Sequence, residues 1–179
     1  MRYLSMFVVI TLVFSLAFTF AAVAAAAPLT PRPLDPLAAE TLSRAVAQSA
    51  TVRDLVATLE SSNVIVHIES SRLLPAGIVG TTRFVISRGG YRYVRITLDA
   101  ELPKWIRAAI VGHELQHACE LAESDADNAD KVRRLFEREG ERHGTFYETR
   151  AALETEKYVR MELLGDRRLQ AGPAIKFDR

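Results

Sequence analysis

The sequence predicts an α+β fold in which a small antiparallel sheet packs on helices. Three observations indicate this class: helical periodicity in both outer parts of the chain, alternating apolar and polar residues between them, and a Gly-Gly turn that joins two alternating segments. The chain has 179 residues, and the part that follows an apolar N-terminal segment suits one domain with one core.

Residues 1–27 are predicted to be a signal peptide. Arg2 is their only charged residue, and the long apolar run ends in alanines that fit cleavage after Ala24 or Ala26. The alternative is an uncleaved N-terminal anchor, because about 20 apolar residues can cross a bilayer. In both cases the chain is expected to be exported to the periplasm or the outside, and the membrane is contacted only through residues 4–27, if they remain.

Composition excludes two classes of protein for the rest of the chain. Arg2 is one of 23 basic residues, so the remaining part carries 22 basic and 22 acidic side chains and has no net charge. A neutral balance argues against a nucleic-acid binder, since phosphate neutralisation needs a positive excess. A disulfide scaffold is excluded because Cys119 is the only cysteine.

The mature chain is expected to begin with a tether and two helices. Residues 28–36 are rich in proline and predict a stiff, extended tether before a single domain at residues 37–179. Apolar residues at three- and four-residue steps predict helices over Leu37–Ser49 and Val52–Ser61. The second helix is expected to start at a variant capping box formed by Thr51 and Asp54.

The middle of the chain predicts three strands, and the last part predicts three helices. Arg88-Gly89-Gly90 is a hairpin signal between the second and third strands. Alternation in the third strand indicates a sheet that is covered on one side. The strands are expected over Val64–Glu69, Thr81–Ser87 and Tyr91–Leu98, and the helices over Pro103–Ala122, Asp127–Glu139 and Thr145–Leu164.

The helix from Pro103 carries the motif His113-Glu114-Leu115-Gln116-His117. Residues four apart on a helix share one face, so both imidazoles can reach one metal ion. Glu114 would flank that ion, where a carboxylate can take a proton from a bound water. The alternative interpretation is an amphipathic helix whose histidines are ordinary polar surface.

A third ligand is expected on the last predicted helix. Glu148 is the best candidate, because the small residues Ala151 and Ala152 would let that helix approach closely, although Glu148 also fits a capping box with Thr145. Glu120 lies about 10.5 Å along the axis from His113, so it is expected at the surface or behind a ligand. The alternative ligands are Glu154, Glu156 and His143.

The motif followed by Glu148-x-x-Ala151 resembles the zinc metallopeptidases called gluzincins, over residues 64–164. The resemblance implies a zincin-like domain with an active-site helix, one Zn²⁺ ion on His113, His117 and Glu148, and Glu114 as the general base. It also implies a peptide or protein substrate along a sheet edge, for which Tyr91–Leu98 is the nearest candidate. One position departs from the family. The thermolysin branch has an aspartate that orients a zinc histidine where this chain has Ala152, so the support for that histidine must come from elsewhere.

The sequence leaves the function of the site open between two hypotheses. The first is an exported zinc-dependent peptidase whose oxyanion is stabilised by Tyr147, Tyr158 or His143. The alternative is a non-catalytic metal-binding or interaction module of the cell envelope. A weaker third interpretation has no metal and a purely structural helix.

Overall fold

The computed structural model describes residues 30–144 and 146–165, and the predicted signal peptide lies outside them. The α+β class is confirmed: the described residues form five helices, a mixed four-stranded sheet and a two-stranded sheet. The strands are β1 (Arg32–Pro33), β2 (Val64–Ser71), β3 (Gly80–Arg88), β4 (Tyr91–Asp99), β5 (Gly140–His143) and β6 (Phe146–Thr149). The helices are α1 (Pro36–Gln48), α2 (Ala50–Glu60), α3 (Lys104–Ala122), α4 (Ala129–Glu139) and α5 (Arg150–Leu164).

The four strands of the main sheet lie in the order β1-β2-β4-β3. The predicted hairpin is present, with Gly89 and Gly90 at positive φ between the antiparallel strands β3 and β4. The chain passes from β2 to the far side of β4 before it turns back, so β2 and β4 run parallel and the sheet is mixed. As a result, β4 is an inner strand. The expectation that Tyr91–Leu98 offers a free edge is therefore wrong, and β3 is the edge strand next to it.

The predicted tether contacts the sheet over its described part. Arg32 and Pro33 pair in parallel with His67 and Ile68 of β2. The backbone N–H of Leu34 donates to Ile68 O at 2.8 Å. Proline has no N–H to donate and is tolerated at a sheet edge, which suits Pro33 in β1. Pairing between residues so far apart in sequence cannot be read from the local composition of residues 28–36.

Helix α3 runs through the centre of the domain. One face of the main sheet packs on it, through β-branched and leucine side chains such as Val66, Val94 and Ile96. Helices α1, α2 and α5 cover its other sides, and its residues from Arg107 to Leu115 are buried without interruption. Four of its buried residues are polar and titratable, and Arg107 among them donates hydrogen bonds to Thr41 and to backbone carbonyls. The other three, His113, Glu114 and His117, lie close together towards the C-terminal half of the helix. Buried groups of this kind need partners, so they point to a site.

The last helix begins later than predicted. The predicted start at Thr145 is wrong because Phe146–Thr149 pairs with Gly140–His143 as the antiparallel hairpin of β5 and β6. Helix α5 starts at Arg150, where the Thr149 side chain accepts a hydrogen bond from Ala152 N at 3.1 Å. Glu148 therefore lies on a strand, and its position is set by the hairpin rather than by a capping box.

Two other helix starts differ by a few residues. Helix α2 is capped by Ser49, which accepts from Val52 N at 3.0 Å, so the predicted cap at Thr51 is wrong. Helix α4 starts after the cap Asn128. Among residues 30–144 and 146–165, no helix combines the length and the apolar character that a membrane span requires.

Candidate metal centre

His113, His117 and Glu148 converge on one point between α3 and β6. Glu148 Oε2 lies 2.9 Å from His113 Nε2 and 3.9 Å from His117 Nε2. The three ligand atoms lie within 4.8 Å of one another. The histidines come from successive turns of α3, while the hairpin of β5 and β6 carries the carboxylate to them.

This group could hold a metal ion. Ligand atoms at about 2.0–2.1 Å from a tetrahedral ion lie roughly 3.3 Å apart, and the two distances to Glu148 fall on either side of that value. Glu148 Oε2 is buried, and the two imidazole nitrogens lie against it. Neutral histidines that turn lone pairs towards this oxygen would leave it without a donor, and a cation between the three side chains would then be its partner.

Two further carboxylates contact the outer nitrogens of the histidine rings. Glu156 Oε2 lies 3.2 Å from His113 Nδ1, and Glu120 Oε2 lies 2.9 Å from His117 Nδ1. Carboxylates in this position orient a metal-binding imidazole and fix which nitrogen faces the metal. The support that is missing at Ala152 thus comes from α5 one turn further on and from α3 itself.

Electrostatics in the cluster favour charged histidines next to charged carboxylates. Burial opposes the charge on both imidazoles, but nearby carboxylates outweigh it and raise the pKa of His113 to about 10 and of His117 to about 9. Burial likewise opposes ionisation of Glu148, yet the histidines lower its pKa to about 2. A metal ion would take the place of the histidine protons in this arrangement, because both imidazoles must be neutral to bind it.

Glu114 stands beside the three ligand residues and faces β3. Its Oε2 accepts a hydrogen bond from Thr82 Oγ1 at 2.7 Å. Burial raises the pKa of Glu114, although the neighbouring histidines and the bond from Thr82 oppose the rise. A Cβ atom at Gly80 would lie only 2.6 Å from Glu114 Oε1, so glycine is what lets the edge strand pass this close to the carboxylate.

An open cleft of about 460 Å³ gives access to the cluster. The lining of this cleft includes residues 77–82, in and just before β3, together with Phe136 of α4 and Phe146 of β6. The ring of Phe136 packs edge-on against His117, with 5.4 Å between the ring centres. Solvent can therefore reach the three candidate ligand residues through this cleft, whose lining is largely apolar.

The structure separates the other candidates that the sequence left open. His143 and Tyr147 line the cleft, whereas Tyr158 is 53% exposed on α5 and does not line it. Glu154 pairs with Arg150 at 2.8 Å on the exposed side of α5, away from the ligand group. Glu156 contacts the outer nitrogen of a histidine and is not in the ligand group.

Sequence reasoning missed Thr82 and Gly80 and left Glu120 undecided. No local pattern relates a strand residue to a helix residue 32 positions later, so Thr82 could not have been found in this way. The spacing of three between His117 and Glu120 is a usable signal, since such residues are neighbours on a helix.

Comparison with protein-family models, curated proteins and solved structures finds no match for this chain.

Proposed function

We propose that this protein is an exported zinc-dependent peptidase of the gluzincin type. One observation carries the proposal: a buried group of two histidines and a glutamate lies next to a second buried glutamate, Glu114, in an open cleft. Three protein ligands and access from one side are the arrangement of catalytic rather than structural zinc sites.

The donor set favours a transition-metal ion over Mg²⁺ and Ca²⁺, and the glutamate inside the His-Glu-x-x-His motif makes zinc our choice among transition metals. Two imidazole nitrogens and one carboxylate oxygen suit Zn²⁺, while Mg²⁺ and Ca²⁺ prefer oxygen ligands throughout. The single cysteine, Cys119, is buried and donates a hydrogen bond to Leu55 O at 3.6 Å, so it does not contribute a ligand here. His113, His117 and Glu148 would hold the ion, and Glu120 and Glu156 would orient the rings.

Glu114 is the proton carrier in the proposed reaction. Zinc, when bound, would polarise a carbonyl group and lower the pKa of water at the site. Glu114 takes the proton of the attacking water and then gives it to the leaving amine. A carboxyl whose pKa is raised by burial is better matched to this double role, and Thr82 holds it at the edge of the cleft.

A substrate peptide is proposed to lie along the outer side of β3. This strand pairs with β4 only, in the part of the chain that the structure describes, and its first residues line the cleft. An extended peptide can add to such an edge through main-chain hydrogen bonds, which would bring a scissile bond past Glu114. Among the donors named from the sequence, His143 and Tyr147 line the cleft, and one of them is proposed to contact a developing oxyanion. The Tyr147 hydroxyl would have to leave Glu137, to which it donates at 3.1 Å.

The test compares zinc content with peptide turnover. We expect wild-type protein to bind zinc and cleave members of a peptide library. Glu114→Gln should keep the zinc and lose activity by about 10²–10⁴-fold, since it removes the general base. His113→Ala and His117→Ala should lose the zinc. Glu123→Gln, an exposed change just after the same helix, is the matched control and should keep both.

Two results would contradict the proposal that this protein is a peptidase. Wild-type protein that binds zinc but cleaves no peptide in the library would favour the non-catalytic metal-binding module. Cleavage that survives Glu114→Gln at the wild-type rate would assign the activity to another group or to a contaminant.

A further inference from the structure

A buried chain of hydrogen bonds links the hairpin of β5 and β6 to a metal-binding histidine of α3. The Thr149 hydroxyl donates to Glu120 Oε1 at 2.5 Å. The other oxygen of the same carboxylate, Oε2, lies 2.9 Å from His117 Nδ1. Thr149 is buried, and the Glu120 side chain is only 14% exposed, so water competes little for these contacts.

Thr149 is placed where two parts of the site meet. It directly follows Glu148, the ligand that β6 provides, and its oxygen also accepts a hydrogen bond from Ala152 N at the start of α5. The Thr149 hydroxyl therefore donates one hydrogen bond to Glu120 and accepts another from the backbone of α5. It joins the strand that carries one ligand to the helix that carries the other two.

The other histidine has a different kind of support. Glu156 contacts His113 Nδ1 and is itself held by Arg160, whose Nε donates to Glu156 Oε1 at 2.8 Å. The contacts of Glu156 with His113 and Arg160 join α5 to α3 through charged groups, but they do not involve the hairpin of β5 and β6. Of these two sets of contacts, the one through Thr149 ties the position of Glu148 to the orientation of a ligand ring.

We propose that Thr149 and Glu120 are positioning residues of the metal centre, acting as one unit. Thr149 fixes the Glu120 carboxylate, and Glu120 turns the His117 ring so that Nε2 meets the ion together with Glu148. The inference rests on the proposed metal centre but not on peptide cleavage. Removing either Thr149 or Glu120 should loosen both the His117 ring and the hairpin that carries Glu148. The losses of zinc affinity in the two single variants should therefore not add in the double variant.

The measured quantity is zinc affinity, obtained by competition with a chelator. Loss of a carboxylate behind a metal-binding histidine typically costs 10–100-fold in affinity. We expect Glu120→Gln and Thr149→Val each to weaken zinc binding at least tenfold, and the double variant to be no weaker than the worse single one. Thr149→Ser keeps the hydroxyl and should bind zinc within threefold of wild type. Cobalt(II) bound in place of zinc should change its visible absorption in the first two variants, because its spectrum follows coordination geometry.

Thr149→Val also removes the cap of α5, whereas Glu120→Gln leaves that cap intact, so a loss in Glu120→Gln separates positioning from capping. A capping variant on another helix controls for a general loss of helix stability. Asn128→Ala removes the cap of α4, which accepts from Lys131 N at 3.0 Å, and it leaves the Thr149 contacts intact. It should keep wild-type zinc affinity and the wild-type cobalt spectrum.

Several outcomes would overturn the proposal: unchanged affinity in both Thr149→Val and Glu120→Gln, fully additive losses in the double variant, or an equal loss in Asn128→Ala. If only the peptidase proposal is wrong, peptide turnover will be absent while the variants still show the expected zinc affinities. The two proposals are therefore distinguishable.

Discussion

Glu114 and Glu148 lie in the same cluster, yet their surroundings shift their pKa values in opposite directions. Burial dominates at Glu114 and raises its pKa, while direct contact with both histidines lowers the pKa of Glu148 to about 2. A carboxylate that stays ionised suits coordination of a cation, and one with a raised pKa suits proton transfer. Neighbouring glutamates can therefore serve different purposes in one site.

The ionised cluster predicts how pH affects the stability of the metal-free protein. The folded pKa values of His113 and His117, about 10 and about 9, exceed the ordinary 6.5, so the histidine contribution is complete below pH 6.5 and is lost as the pH rises through 9 to 10. The folded pKa of Glu148, about 2, is below the ordinary 4.5, so its contribution is complete above pH 4.5 and is lost as the pH falls towards 2. We expect the stabilisation from these pairs to be greatest between pH 4.5 and 6.5.

Urea unfolding in the presence of a chelator measures this effect. The difference in unfolding free energy between wild type and Glu148→Gln should be largest within that window and should shrink on both sides of it. Glu154→Gln, on the exposed side of α5, serves as the control and should give a small difference without this maximum. A difference between wild type and Glu148→Gln that does not vary with pH would contradict the charged pairs.

At the scale of residues, the sequence predicted the inner part of the site better than its support. The spacing of His113 and His117 follows from helix geometry alone. The sequence favours Glu148 as the third ligand because Ala151 and Ala152 would let its helix approach closely, although Glu148 lies on β6 just before that helix. The contacts of Thr82, Thr149 and Glu156 depend on how distant elements pack. No periodic pattern in a single sequence predicts contacts between elements that are distant in the chain.

At the scale of elements, local patterns predicted the helices and the main hairpin but not the β5–β6 hairpin. Thr145-Phe146-Tyr147-Glu148 satisfies a helix-start pattern, yet Phe146–Thr149 pairs with Gly140–His143 instead. The position of Glu148 next to α3 thus results from strand pairing. A capping pattern reflects only the local preference of a segment. Here the pairing of β6 with β5 outweighs that preference, so the segment forms a strand.

The close approach of α3 and α5 predicts a compensating pair of substitutions. A Cβ at Gly112 of α3 would lie 2.8 Å from Val159 Cγ2 of α5, so Gly112→Ala should lower the unfolding free energy by about 1–3 kcal/mol through overpacking. Val159→Ala removes two buried carbons at roughly 0.8 kcal/mol each. The double variant should be more stable than the sum of the two losses predicts, by at least about 0.5 kcal/mol, because one change makes room for the other.

Denaturant unfolding of the two single variants and the double variant measures that coupling. Val64→Ala combined with Gly112→Ala is the control pair, since Val64 is buried in β2 and is not among the nearest atoms to a Cβ at Gly112. Its two effects should add. Additive losses for Gly112→Ala with Val159→Ala as well would mean that the helices are not in this contact.

At the scale of the whole molecule, the domain is arranged around α3. The sheet covers one side of this helix and three helices cover the others. Its buried polar residues therefore pair with polar groups of these neighbouring elements, as Arg107 does with Thr41, or line the cleft. Helical periodicity in the outer parts of the chain, alternation between them and the Gly-Gly turn predicted the α+β class. The parallel pairing of β2 with β4 and the docking of β1 were not predicted, because both join segments that are distant in sequence.

One zinc ion is proposed to bind where α3 meets β6. An anomalous difference map, collected at the zinc absorption edge from crystals of the protein grown with zinc, tests this proposal most directly. We expect one strong peak at about 2.0–2.2 Å from His113 Nε2, His117 Nε2 and a Glu148 carboxylate oxygen. A map without a peak between these atoms, or with zinc on the Nδ1 side beside Glu120 or Glu156, would contradict it.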